Sequence, residues 1–147
     1  MNTDHMNLIL KTNHLTRDCF RGVFPMDWVP SLKMEPGCYI INTDDEDEPG
    51  EHWVAVYNDN GQIEYFDSYG LPPLDKRLDS FLGNNYKYNA THLQQLFTKA
   101  CGFYCVYYIF HRVMDFTMEE IITVLKRSDG DHIAQDFVTR HYKPLFN

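Results

Sequence analysis

Two cysteines stand four residues apart in the apolar run KACGFYCVYY, residues 99–108. A thiol in such a setting packs in a core, ligates a metal, or attacks an electrophilic carbon. Attack requires a thiolate, a nearby base and a donor for the oxyanion that forms. Cys101 follows Thr98, a candidate N-cap, and so falls in the first turn of a helix. Partial positive charge and free N–H groups at that end stabilise a thiolate. Gly102 has no side chain, which leaves room for a substrate backbone beside the sulfur. Cys105 lies one turn deeper and reads as a packed core thiol. Zinc is the rival ligand for Cys101, Cys105 and His111. A C-x3-C spacing within one helix, without a second CxxC or HxxxH, matches a structural zinc site poorly.

A base and its orienter come from a predicted hairpin. The stretches HWVAVYND and QIEYFDSY have strand composition and are separated by Asn60-Gly61. With Asp59-Asn60 as the two-residue turn, His52 lies directly opposite Asp67. With Asn60-Gly61 as the turn, Asp67 lies opposite Val54, diagonal to His52 on the same face. Both registers bring the two side chains within reach; a three-residue turn would put Asp67 on the other face. A carboxylate beside an imidazole selects its tautomer and stabilises the imidazolium. An exposed His–Asp pair with no function is the competing interpretation. Trp53 faces the other way and reads as core. An amide shortly before Cys101 could donate to an oxyanion, and LQQLFTKAC offers both Gln94 and Gln95.

The elements that must position these groups follow from pattern. Residues 1–20 are partly helical, with Leu8, Leu10 and Leu15 loosely spaced. GVFPMDWVPS is turn-rich, broken by Pro25 and Pro30. GCYIINTD is a strand running into an acidic loop, DDEDE at 44–48, which reads as solvated. GLPPLD is a stop, DKRLDSFLG a short helix, and YKYNAT a further strand. Residues 100–113 are apolar on nearly every face, which predicts a buried central helix. Thr117 and Glu120 have capping-box spacing ahead of an amphipathic helix. HIAQDFVTRHY is the last helix. This order predicts one α+β domain over 1–147, a central mixed or antiparallel sheet packed on a buried helix that carries the cysteine.

Bulk properties narrow the partners. A formal charge of −8 and a pI near 5.2 argue against broad binding to nucleic acid or anionic membranes. No stretch is apolar enough for a membrane span, and no signal peptide is read at the N-terminus. Four cysteines without a secretory signal suggest reduced thiols inside a cell.

In order, His52-Trp53, Asp67 in YFDSYG, glutamine, and CGFYC resemble the adenain family, the adenovirus-type cysteine proteases, distantly similar to SUMO-specific proteases. The resemblance runs from FRGVFPMDWVP to CGFYCVYYIFHR, about two-thirds of the chain. NTDDEDEPGEHWVAVY is closest in style to proteases of adintoviruses and Polinton-type elements. The resemblance implies a cysteine-protease-like fold, with Cys101 as nucleophile, His52 as general base and then acid, and Asp67 as orienter. It implies Gln94, seven residues before Cys101, as oxyanion donor together with the N–H of Cys101. It also implies cleavage of viral precursors at glycine-containing sites during virion maturation, by a monomer in host cytoplasm or nucleus or in the virion, with no cofactor. A deconjugase of ubiquitin-like modifiers would use the same site. A non-catalytic binding module on the same fold is a third reading, and the intact set of four residues argues against it. Adenovirus enzymes carry Glu where this chain has Asp67. Their DNA activator fits poorly with the acidic charge here. Their disulfide-linked activator peptide would need a cysteine near Gly83, where this chain has none.

Overall fold

The computed structural model describes residues 1–50, 52–127 and 129–142. The predicted α+β architecture is present: a five-stranded mixed sheet with helices on both faces. Helix α1 (Thr3–Thr12) starts at Asn2, whose side chain accepts the N–H of His5. Its buried stripe is Met6, Ile9 and Leu10, spaced for one helical face. Of the leucines in this segment, Leu10 is buried while Leu8 and Leu15 are exposed. The segment read as turn-rich holds strand β1 (Phe20–Phe24) and a 3-10 helix (Met26–Ser31). Pro25 ends the strand, and Pro30 is tolerated because so short a helix leaves few N–H groups to satisfy.

Strands β2 (Gly37–Asn42), β3 (Trp53–Asp59) and β4 (Gln62–Phe66) form an antiparallel meander. Strand β1 adds to one edge and β5 (Tyr86–Tyr88) to the other, both in parallel. Asp59 pairs with Gln62, so the hairpin turns at Asn60-Gly61. Both residues have positive φ, +51° and +97°, as a twisted two-residue hairpin requires. This is the second of the two predicted registers. Strand β4 ends at Phe66, earlier than expected, because Asp67–Gly70 forms a turn closed by the Gly70 N–H on the Asp67 carbonyl (2.7 Å).

Helix α2 (Lys76–Leu82) is capped by Asp75 and stops at Gly83. It packs with the 3-10 helix over one sheet face, burying Met26, Val29, Tyr39, Val54, Tyr65 and Leu78. The other face holds α3 (Cys101–Val113), in which every residue from Cys101 to Phe110 is buried. Helices α1, α4 (Met118–Leu125) and α5 (Gly130–His141) enclose it. The capping box of Thr117 and Glu120 is formed as predicted. Among the described residues no helix is long and apolar enough to cross a membrane.

The far end of α3 is anchored to the sheet by charge. Arg112 donates from Nε and Nη2 to the two carboxylate oxygens of Glu64 on β4, at 2.8 and 3.1 Å. Its guanidinium carbon lies 4.8 Å from the Tyr57 ring centroid, and the Tyr108 hydroxyl donates to the same carboxylate. Removing one member of a pair this well buried strands its partner's charge. Arg112→Ala is expected to lower stability by about 3 kcal/mol, measured by urea denaturation at neutral pH.

Candidate active site

Asp67 begins the turn that follows β4. Its backbone N–H donates to Asn89 Oδ1 (3.0 Å), and Asn89 Nδ2 donates back to the Asp67 carbonyl (2.7 Å). Its Oδ1 accepts the Tyr69 N–H at 2.9 Å and meets His52 Nε2 at 2.7 Å. Two bonds to its backbone and two to its carboxylate thus fix a residue only 4% exposed. Gly70, at φ +72°, lets this turn lie on the backbone of residues 91–92. A Cβ there would come within 2.5 Å of the Thr91 carbonyl carbon. Tyr69 then stacks on the His52 ring, with centroids 4.9 Å apart, and His92 meets Tyr69 edge-on.

His52 stands just before β3, on the sheet face opposite α3, where that face ends. The first turn of α3 reaches the same end from the other side. The His52 ring and the backbone N–H of Trp53 both act on the Cys101 thiol and favour its ionised form. With Nε2 engaged by Asp67, Nδ1 is the ring nitrogen left for the sulfur. Burial pushes the Cys101 thiol up, but the bonds to His52 and to the Trp53 and Gly102 N–H groups outweigh it and leave the thiol lowered. Burial likewise disfavours the charged imidazole. The bonds to Asp67 and Cys101 reverse that and lift His52 to about 9. A lowered thiol and a raised imidazole favour a thiolate–imidazolium pair near neutrality.

Gln94 and Gln95 are sorted by burial. Gln95 is exposed, while Gln94 is 1% exposed. The Ser68 hydroxyl donates to Gln94 Oε1 at 2.6 Å. Gln94 Nε2 donates to the Thr98 carbonyl at 2.9 Å and to Thr98 Oγ1 at 3.0 Å. The Thr98 carbonyl can only accept, which fixes the amide orientation. The Ser68 carbonyl also accepts the N–H groups of Leu93 and Gln94, tying this loop to the Asp67 turn.

Two expectations are corrected. Thr98 does not cap α3: the cap position is Ala100, and the Thr98 oxygens are taken by Gln94. Gly102 does not open a path for substrate. A Cβ there would point toward α1, in ordinary contact with Met6 Sδ at 3.4 Å and Met1 at 3.5 Å. Cys105 is a fully buried thiol, pushed well up by burial. His111 stacks on Tyr107 and engages its carbonyl through Nδ1 (2.7 Å). Ser68, Tyr69, Asn89 and His92 support the site without having been singled out from sequence, and Thr98 supports it as a partner of Gln94 rather than as a cap. Only the adjacency of Ser68 and Tyr69 to Asp67 could have pointed to any of them.

The acidic loop is exposed at Glu46, Asp47 and Glu48, as expected, and is also pinned at several points. Asp27 Oδ1 accepts the Glu46 N–H (2.8 Å), Trp28 Nε1 donates to Glu46 (2.9 Å), and Arg77 pairs with Asp45 (3.0 Å). An apolar groove of about 330 Å³ opens beside His52 and Asp67, walled by Met26, Tyr65, Leu71, Leu74 and Leu78.

No family model matches the chain, and no curated protein matches it in sequence. Among solved structures, the crystal structure of the ASFV pS273R protease superposes with a TM-score of 0.62 at 19% identity. That match covers 90% of this chain and 63% of the protease, so the chain spans less than two-thirds of the length of that protein. A selenomethionine crystal structure of the same protease gives a TM-score of 0.40 at 26% identity, over 64% of this chain and 40% of that one. The likeness is one of fold.

The electrostatics predict a pH signature. Alkylation of Cys101 by limiting iodoacetamide should set in at lower pH than that of an ordinary thiol. In His52→Ala the midpoint should rise toward 8.5 or above, located by peptide mass spectrometry. Stability follows the opposite course with pH. A histidine raised from 6.5 to about 9 contributes in full below pH 6.5 and loses that contribution as pH climbs through 9. The stability gap between the wild-type chain and His52→Ala should therefore narrow across pH 7–9.

Proposed function

We propose that the chain is a cysteine endopeptidase in which Cys101, His52 and Asp67 act as a triad and Gln94 as an oxyanion donor. The observation that carries this is the line Asp67–His52–Cys101, with the sulfur at a helix N-terminus, its pKa lowered, and the imidazole raised. A protease-like fold in an otherwise unrelated sequence supports it.

The steps follow from the geometry. The Cys101 thiolate attacks the scissile carbonyl carbon and forms the S–C bond, and the carbonyl π pair moves to oxygen. The protonated His52 gives its proton to the departing amine as the C–N bond breaks, leaving a thioester. Neutral His52 then takes a proton from water, which attacks the thioester. The thioester collapse returns the thiolate and the acid product. Asp67 keeps the imidazole in the tautomer and plane that both transfers need. The oxyanion would be met by the N–H of Cys101 and by Gln94, whose amide exchanges its bond to Thr98 Oγ1 for one to the new anion. Ser68 holds the other end of that amide and prevents it from flipping.

Polypeptides with small residues at the scissile bond are the substrates we propose, viral precursors cut at glycine-containing sites among them. A fluorogenic glycine-containing precursor peptide and a fluorogenic ubiquitin-like modifier are the two probes. Cleavage of the peptide by the wild-type chain and none by Cys101→Ser is expected; unchanged cleavage in that variant overturns the proposal. Turnover of the modifier in preference to the peptide would identify a deconjugase instead. Gln94→Ala should lower kcat by about 10²–10³-fold with little change in KM. Cys101 alkylation in that variant should stay at the wild-type rate.

A further inference from the structure

Outside the site, a second pair of sulfur atoms lies close together. Cys19, just before β1, and Cys38, in β2, have their Sγ atoms 3.8 Å apart in hydrogen-bond contact. The Cys38 N–H donates to the Cys19 carbonyl at 2.9 Å, so the two backbones are direct neighbours. Adjacent strands lie about 4.8 Å apart, within the span a disulfide bridges. Closing the sulfurs to bonding distance, about 2.05 Å, needs a side-chain rotation rather than a strand movement. Cys19 is half-buried and Cys38 wholly buried, so an oxidant reaches the first and not the second.

We propose that Cys19 and Cys38 form a reversible intramolecular disulfide, a modification site separate from Cys101. The chemistry favours an order of events. The hydrogen bond from Cys38 draws the Cys19 thiol down to about 7 against the effect of burial, and Arg21 assists. The same bond, with burial, pushes Cys38 up. Cys19 is therefore the thiolate and Cys38 the resolving thiol. With a peroxide as oxidant, the Cys19 thiolate attacks one oxygen, the O–O bond breaks and hydroxide leaves, giving a sulfenic acid. The Cys38 sulfur then attacks the Cys19 sulfur, the S–O bond breaks, and the Cys38 proton departs with the hydroxyl as water. Two thiols and one peroxide give one disulfide and two waters. A dithiol reductant reverses the bond.

The bridge lies away from the catalytic cysteine. Asn42 is the β2 residue opposite Trp53, beside the site, and Cys38 is four residues further along, roughly 13 Å at strand spacing. It would close a loop that carries β1 and the 3-10 helix, tethering α1 and β1 to the sheet without touching Cys101.

The test uses the full chain carrying Cys101→Ser, so that the candidate nucleophile cannot consume oxidant. Limiting hydrogen peroxide is added to the native protein, followed by an alkylating quench in denaturant and peptide mass spectrometry. Of the four cysteines in the chain, three remain in this variant. The expected result is a fall from three free thiols to one, a monomer two hydrogens lighter, and a Cys19–Cys38 linked peptide that dithiothreitol removes. With Cys38→Ser added, Cys19 should instead accumulate as a sulfenic acid trapped by a cyclic 1,3-dione. Three thiols surviving, a link that forms only after denaturant is added, or Cys19 passing to sulfinic acid while Cys38 stays free would each overturn the proposal.

Discussion

A helix that is apolar on every side is stable only when it is enclosed, and α3 sets this requirement for the whole chain. All ten residues from Cys101 to Phe110 are buried. Full burial of an aliphatic or phenylalanine side chain, as at Phe103, Val106, Ile109 and Phe110, stabilises by about 1.5–3 kcal/mol relative to exposure. The sheet covers one side of α3, and α1, α4 and α5 close the rest. The only backbone groups of such a helix not spent internally are at its ends. The far end is tied to β4 through Arg112 and Glu64. The near end is left against the start of β3, where the Gly102 N–H acts on the Cys101 thiol.

That placement explains why opposing effects settle as they do at Cys101 and His52. Burial alone would keep both neutral, because each ion loses hydration. The bonds made by Asp67, the Trp53 N–H and the helix start favour the charged forms and prevail. Cys105, one turn on, is more deeply buried and lacks those partners, and its thiol is pushed well up. Two cysteines on one helix thus differ in chemistry because only one reaches the helix end and the imidazole. Cys19 and Cys38 repeat the lesson: one sulfur is lowered and the other raised by a single shared hydrogen bond.

The oxyanion amide shows how the supporting residues are linked. Gln94 is held between Ser68, which belongs to the Asp67 turn, and Thr98, which leads into α3. The same turn is fastened by Asn89 and pressed on residues 91–92 through Gly70. Base, orienter and amide are therefore connected through one short segment, 67–70. Moving that segment would disturb all three at once, which a side chain mounted on a separate loop would not do.

Local chemistry made much of this legible in the sequence. The period of two in the strands and the Asn60-Gly61 turn put His52 and Asp67 on one face, because the two-residue hairpin permits few registers. The all-round apolar character of residues 100–113 marked a buried helix, and Thr117 with Glu120 marked a helix start. What depended on distant parts of the chain was not legible. Strand β1 pairs in parallel with a strand it does not adjoin in a hairpin, so no turn signal announced it. Gly102 faces Met6 of α1, nearly a hundred residues away, rather than an open cleft. Thr98 has the chemistry of a cap, and only the folded loop assigns its oxygens to Gln94. The approach of Cys19 to Cys38 and the stacking of Tyr69 on His52 were decided by tertiary structure. Spacing along a chain constrains neighbours on one element, whereas contacts between elements depend on how the whole core is filled.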